Sequence, residues 1–395
     1  MKFFLILLST FSLSYGFEET EQLKVIHPLQ DSKDTQKLLH AMQKNIQTYL
    51  YKTPLSSYAY FNKHSSQLKS EVLITWIHGN VYTDTLAASQ EPNIRATLNN
   101  GQYTHLGDYR YDIFTLLSDL LLKMQNDSDF SASKEKAILG TLVDGYFERM
   151  QNQDLQCSCI DDALRNVRAN DLFVQYTKVH KGNRIFNINL QSLSKLAKQE
   201  TKTVSKKMNQ YLLKFNLLPI KDVVINEFGD YLLLSEGKTK GLHDDIIFAL
   251  SANTIPVSYH INTKMKKNYL RTSLSKRGEV ISSFNQTDYA GTLHINKQDF
   301  FVNKLVSSLK LRPQSEKINA YKDYASALGF VLAGFHSNPD LSSCQGFSKK
   351  IKTQVKPRVV KTELISMVYA HNETLEEKWE DFTDKEFVSF KDTPK

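Results

Sequence analysis

The chain has 395 residues, 41% hydrophobic and 23% charged, so it can bury a substantial core and is neither a disordered polymer nor a small stapled scaffold. Its formal charge of +8 is a mild excess spread along the chain, which implies no nucleic-acid binding. The N-terminal apolar run is too short to span a bilayer, and no later stretch reaches the roughly 18 apolar residues that a membrane helix needs.

That N-terminal run, Phe3 to Leu8 behind Lys2, ends in the small-residue stretch Ser12-Leu13-Ser14-Tyr15-Gly16 and reads as a signal peptide over 1–16. The expectation is an exported, periplasmic or secreted protein with no transmembrane segment. No cysteine follows the run, which argues against a lipid anchor. In an oxidising compartment the three cysteines allow one long-range disulfide, Cys344 with Cys157 or Cys159, leaving an odd thiol.

Apolar positions at Leu38, Leu39, Met42, Ile46, Tyr49 and Leu50 predict an amphipathic helix over 34–51. A β-rich run over 71–77 ends at the turn His78-Gly79-Asn80. A second strand over 94–98 runs into Asn99-Asn100-Gly101, a hairpin signal. The segment 103–112 carries Asp108 and Asp112 into a helix through Leu116, Leu117, Leu120 and Leu121. Helices are predicted over 133–151 and 190–215, the second rich in lysine. Short runs at 223–225, 231–234 and 246–250, separated by Gly229, Gly237 and Gly241, predict a small antiparallel sheet. Helices return over 320–336 and 363–381, and an acidic tail occupies 381–395.

Several of these segments together resemble the bacterial family known as domain of unknown function 2252, distant and rearranged relatives of aminoglycoside-phosphotransferase-like kinases. Ser56-Ser57-Tyr58-Ala59-Tyr60-Phe61-Asn62-Lys63 is similar to the family's Ser-Pro-Phe-x-Phe-Tyr-Arg-Gly, with Asn62 at the arginine. His78-Gly79-Asn80-Val81-Tyr82-Thr83-Asp84-Thr85 stands at Gly-Asp-x-His-x-x-Asn, so Asn80, Tyr82 and Thr85 replace Asp, His and Asn. Gly107-Asp108-Tyr109-Arg110 lies over Asn-Asp-Phe-Asp, keeping Asp108 and placing Arg110 at the second acid; Asp112 keeps the acid of the following Trp-Asp-x-x-Arg-Leu. Gly237-Lys238-Thr239-Lys240-Gly241 lies near a glycine-rich phosphate loop, and the family's Lys-Glu pair falls on Asn262 and Thr263. Asp299 to Leu305 carries Asn303 at another arginine, and Tyr324 to His336 is the nearest match.

The resemblance implies an α+β fold of kinase-like, two-lobed architecture, with a mainly helical body and a small antiparallel sheet. In this reading 17–395 is one unit: about 50–220 as the catalytic-centre-like part, 221–305 as the small-sheet part and 306–380 as the helical closing part. The ions that perform phosphoryl transfer are replaced while aromatic landmarks remain. An amide at Asn80 can neither take a proton nor carry charge, and Asn62 and Asn303 offer only neutral hydrogen bonds. The leading expectation is therefore a catalytically degenerate, exported protein with no cofactor, holding an unknown ligand or partner in a cleft lined by Asn62, Asn80, Tyr82, Asp108, Arg110, Asn303 and His336. The alternative is a divergent phosphotransferase using ATP and magnesium, with Asp108 on the metal and Asp84 as base. A third reading is an envelope-interaction protein using the basic stretches 264–277 and 349–361. Ser/His/Asp hydrolase chemistry lacks its Gly-x-Ser-x-Gly elbow.

From the residues themselves, Asp112 reads mainly as a structural partner of its helix N-terminus, and His336 as a hydrogen-bonded inner histidine. Adjacent positions in a strand point to opposite faces, so His243, Asp244 and Asp245 are not expected to converge on one ion.

Overall fold

The structure, a computed structural model, describes residues 32–89, 95–98, 103–152, 172–190, 192–226, 229–242, 244–253, 274–285, 289–305, 309–310, 312–337 and 346–384. The predicted signal peptide, all three cysteines, Asn262, Thr263, His243, most of 264–277 and the end of the acidic tail lie outside them. The fold is α+β, with a helical body beside a six-stranded antiparallel sheet.

In the first predicted helix the chain breaks at Asn45, giving α1 (Ser32–Lys44) and α2 (Ile46–Lys52). Asn45 adopts extended dihedrals and its side chain accepts from the Thr48 N–H, so a residue that competes for backbone hydrogen bonds starts a new helix. Proline at the first turn starts α3 (Pro54–Ser65). The strand β1 (Ile74–Ile77) leads into the turn at 78–80, and a short 3-10 turn at Thr83–Thr85 precedes β2 (Leu86–Ser89) and β3 (Arg95–Leu98).

The Asn-Gly signal near 100 does not join adjacent strands of one hairpin. β3 pairs back with β2, whereas β4 (His105–Asp108) pairs with β1, in the register Ile74↔Asp108 to Ile77↔His105. Long-range pairing outweighs the local turn preference here.

Helix α4 (Tyr109–Asp127) follows β4 directly and is buried almost all round. Its neighbours are α5 (Ala132–Gln151), α9 (Ile318–His336), α10 (Phe347–Gln354) and α11 (Pro357–Thr383), and their apolar side chains form the main core. Helices α5 and α9 approach backbone to backbone: a Cβ built on Gly329 would lie 2.0 Å from the Leu142 carbonyl oxygen, and one on Gly145 would lie 2.7 Å from that of Ser326. Glycine is required at these crossings because any side chain would occupy the other helix's backbone.

The segment predicted as one helix over 190–215 begins instead as an edge strand, β7 (Leu193–Lys195), and only then becomes α7 (Lys198–Leu212). Before it stand a short helix α6 (Leu172–Tyr176) and the hairpin β5 (Thr177–His180) and β6 (Asn183–Phe186). The sheet is larger than its three predicted runs, with order β11-β12-β10-β9-β8-β7, where β8 is Ile220–Asn226, β9 Tyr231–Ser235, β10 Ile246–Ala252, β11 Gly291–Ile295 and β12 Gln298–Lys304. Alternation sorts its side chains: Tyr231, Leu233, Phe248, Leu250, Phe300 and Val302 pack under α7, whereas Leu232, Leu234, Ile247 and Ala249 join Phe186 on the other face. Helix α8 (Leu274–Asn285) packs beside β11 and β12. No helix among the described residues is long and apolar enough to cross a membrane.

Candidate functional site

Two carboxylates on α4 hold the loop 78–85. Asp112 and Asp119 are seven residues apart, so they lie on the same face two turns from each other. Asp112 accepts the His78 N–H at 2.6 Å on one oxygen and the Gly79 N–H at 2.9 Å on the other. Asp119 accepts the Thr83 N–H at 2.7 Å and the Thr83 hydroxyl at 2.6 Å, and its second oxygen accepts from Tyr51 Oη at 2.9 Å and Gln47 Nε2 at 3.2 Å. Both aspartates are fully buried. Buried carboxylates survive because each oxygen is met by donors, and here three of those donors are main-chain N–H groups of the loop.

The glycine between the clamped positions cannot be replaced without strain. Gly79 has φ +78°, and a Cβ there would lie 2.7 Å from the Tyr103 carbonyl oxygen. Val81, Tyr82, Thr83 and Thr85 point inward, leaving Asn80 and Asp84 half-exposed along the loop's outer edge. The Asn80 amide oxygen itself is buried and has no hydrogen-bond partner among the described residues.

Beneath the turn runs a buried chain of polar groups. His336 Nε2 lies 3.1 Å from Asp112, and His336 Nδ1 lies 2.8 Å from Tyr146 Oη. A carboxylate only accepts, so Nε2 carries the proton toward Asp112, while Nδ1 shares its hydrogen bond with the phenol. Burial pushes the Asp112 carboxyl up, but the hydrogen bond and charge of His336, with His78 and the Gly79 N–H, outweigh it and hold the group below its ordinary value. Burial raises Asp119, with Thr83 and Tyr51 opposing and Asp84 reinforcing. Burial and the Asp119 charge raise the Tyr51 phenol, so it stays a neutral donor.

On the side facing the sheet, His105 bonds the Tyr103 carbonyl through Nδ1 at 2.8 Å. Burial lowers this imidazole to about 4, the Tyr103 carbonyl opposing and the Arg277 charge reinforcing. Arg277 on α8 is 1% exposed and spans the two halves: Nε donates to the Thr104 carbonyl at 2.8 Å and Nη1 to Asn253 Oδ1 at 2.7 Å, with the guanidinium over Phe301. Its position at the end of a lysine-rich stretch gave no sign of burial.

The positions expected to line one cleft do not do so. Asn62 is exposed on α3, while Arg110 and Tyr82 are buried. Tyr82 Oη faces the Leu50 carbonyl at 3.4 Å. His336 is 0% exposed and serves as an internal strut, consistent with the inner histidine read from its apolar helix. Asn303 belongs to β12, on the sheet face of Phe301 two residues earlier. Asp108 stands opposite Ile74, at the end of the β1–β4 ribbon away from His78, a separation of about 13 Å along the strands. It caps α4 by accepting the Arg110 N–H at 3.1 Å and is gripped by the Arg110 side chain at 2.7 to 3.1 Å. Arg110 in turn donates to the Ser70 carbonyl at 2.7 Å. Of the expected set, only Asn80 and Tyr82 share the clamped loop, with Asp84 beside them and His336 beneath it.

No family model matches this chain, and no curated protein or solved structure matches it. Among the described residues, the groups expected at a magnesium or phosphate site are engaged elsewhere. Both oxygens of Asp108 are engaged by Arg110. In the loop 237–241, the Lys238 and Thr239 N–H groups that could cradle a phosphate donate instead to Asp244 at 3.0 and 2.8 Å. Its neighbour Asp245 turns elsewhere, buried between Arg184 at 2.9 Å and Lys221 at 2.8 Å.

The signal sequence analysis missed is Asp119, hidden among leucines of a buried helix. An acid at an inward position of an apolar helix must have donors brought to it, and that requirement is readable without a structure.

Proposed function

We propose that this is an exported, catalytically degenerate kinase-like protein that binds a ligand or partner at the outer edge of the loop 78–85. The observation that carries the reading is the clamped loop itself: its backbone is fixed by Asp112 and Asp119, and it carries the half-exposed polar residues Asn80 and Asp84 along its outer edge. A pre-organised polar edge suits a ligand that brings hydroxyl or amine groups, because the ordering cost has been met in folding. A neutral amide provides no general base, and an arginine-gripped Asp108 provides no open metal position, which supports binding over phosphoryl transfer.

Thermal-shift measurements test it. A screen of polyols, amino sugars and nucleotides should yield a stabilising compound whose effect is lost in Asn80→Leu at unchanged melting temperature of the free protein. A magnesium-dependent shift with ATP, or transfer of labelled γ-phosphate abolished by Asp108→Ala, would replace this reading with an active enzyme.

A further inference from the structure

We infer that the β5–β6 hairpin is a membrane-surface contact that engages anionic phospholipid headgroups and inserts apolar side chains among them, a role separate from the loop 78–85. Its base is fixed to the sheet. Arg184 donates to Asp245 at 2.9 Å and lies over the Phe173 ring, the Phe186 N–H donates to Asp222 at 2.9 Å, and Thr177 and Phe186 are buried. The tip stands free of the body. Lys181 and Gly182 have φ of 50° and 78°, the two-residue turn that matches strand twist, and a Cβ on Gly182 would meet nothing within 4 Å.

The charge on this projection is one-sided. The hairpin, Thr177 to Phe186, carries Lys178, Lys181 and Arg184 and not one Asp or Glu, and of these Arg184 is paired at the base with Asp245. Lys178 and Lys181 are exposed, and among the described residues no salt bridge engages them. Lys181 sits in a left-handed conformation that asparagine or glycine adopts at lower energy, so the ammonium at the tip is held there against a local backbone cost.

Apolar side chains accompany the charge. Val179 near the tip is 55% exposed, Val174 on the helix leading in is 78% exposed, and Ile188 just beyond is 37% exposed. A soluble polyanion would satisfy the lysines but gain nothing from the valines. An acidic bilayer uses both, the ammonium groups at the phosphates and the branched side chains at the acyl boundary. That complementarity selects a lipid surface over a polysaccharide or nucleic acid.

The test is co-sedimentation of the full chain with vesicles of equal parts phosphatidylglycerol and phosphatidylcholine, against phosphatidylcholine alone. Binding is expected to the anionic vesicles only and to weaken with salt. Lys178→Gln with Lys181→Gln should weaken partitioning about 30-fold, from about 1 kcal/mol per lysine near the surface. Val179→Asp should weaken it as well, and a tryptophan placed by Val179→Trp should shift its emission to the blue on vesicles. Lys349→Gln with Lys350→Gln, the same change of charge on exposed α10, should have little effect. Absence of binding to the anionic vesicles, or equal loss in the α10 pair, overturns the proposal. So does binding to soluble dextran sulfate with the same lysine dependence while vesicle binding ignores Val179. Unchanged circular dichroism of each variant establishes that folding is not the cause.

Discussion

Replacing Asp112 by asparagine tests whether the clamp, and not the surrounding apolar core, fixes the loop 78–85. The carboxylate accepts from the His78 and Gly79 N–H groups and from His336 Nε2, all of them buried. Asparagine keeps the shape but turns one accepting end into a donor. If its oxygen faces His78 and His336, its NH2 confronts the Gly79 N–H, leaving two donors opposed and unsatisfied. An orphaned buried donor costs about 1–3 kcal/mol, and the loss of charge assistance on the remaining bonds brings the total to about 3 kcal/mol. Alanine orphans all three donors and should cost about 5 kcal/mol, a large share of the stability of an ordinary domain. Urea titration at neutral pH reads both, and the midpoint should fall at unchanged slope. Amide exchange at His78 and Gly79 should accelerate more than in α5, because the opening is local before it is global. An asparagine variant within about 0.5 kcal/mol of the parent, with those amides still protected, would refute the clamp.

Gly79→Ala should cost about 2 kcal/mol or more through its positive φ and the Tyr103 carbonyl, measured by the same titration. Asp119→Asn should free the other end of the loop, with hydrogen exchange quickening at Thr83 while His78 and Gly79 keep their protection. Acidification should destabilise through His105 and His371, both lowered to about 4 by burial. The unfolded chain takes up their protons from about pH 6.5 downward and the folded chain only near 4, so each costs about 1.4 kcal/mol per pH unit across that window and nothing further below it. Asp119, raised by burial, works in the opposite sense, so the check is the difference between parent and a His105→Asn, His371→Gln variant, whose stability profile should be flatter between pH 6.5 and 4.

The class of fold was readable because hydrophobic period is a local property. The unbroken apolar runs 231–234 and 246–250 mark strands buried on both faces, and the helices near 320–336 and 363–381 come within a few residues of α9 and α11. Pairing was not readable. The strand after the Asn-Gly turn joins β1 across some thirty residues because Ile77 and His105 meet in the core, a contact without local signature. The site was legible in part for the same reason. Asp108 and Arg110 are two residues apart, and their pairing at a helix start follows from capping preference. His336 and Asp112 are 224 apart in sequence, and only the packing of α9 on α4 and α5 brings imidazole to carboxylate. Arg277 was obscured by composition: its lysine neighbours suggest a solvated face, whereas its planar donors bind Thr104 and Asn253 inside.

The near contact of α5 and α9 at Gly329 also sets a mechanical tolerance. His336 lies two turns further along α9 from Gly329, and its phenol partner Tyr146 lies on α5, so the separation of two backbones decides whether imidazole, carboxylate and phenol stay in register. A single methyl at Gly329 would press on the Leu142 carbonyl and wedge the axes apart, and the slack would travel through His336 and Asp112 to the turn at 78–79. The conformation of the loop is thus geared to a helix spacing that leaves no room for a Cβ, and anything that pries those helices apart acts on the loop as a lever.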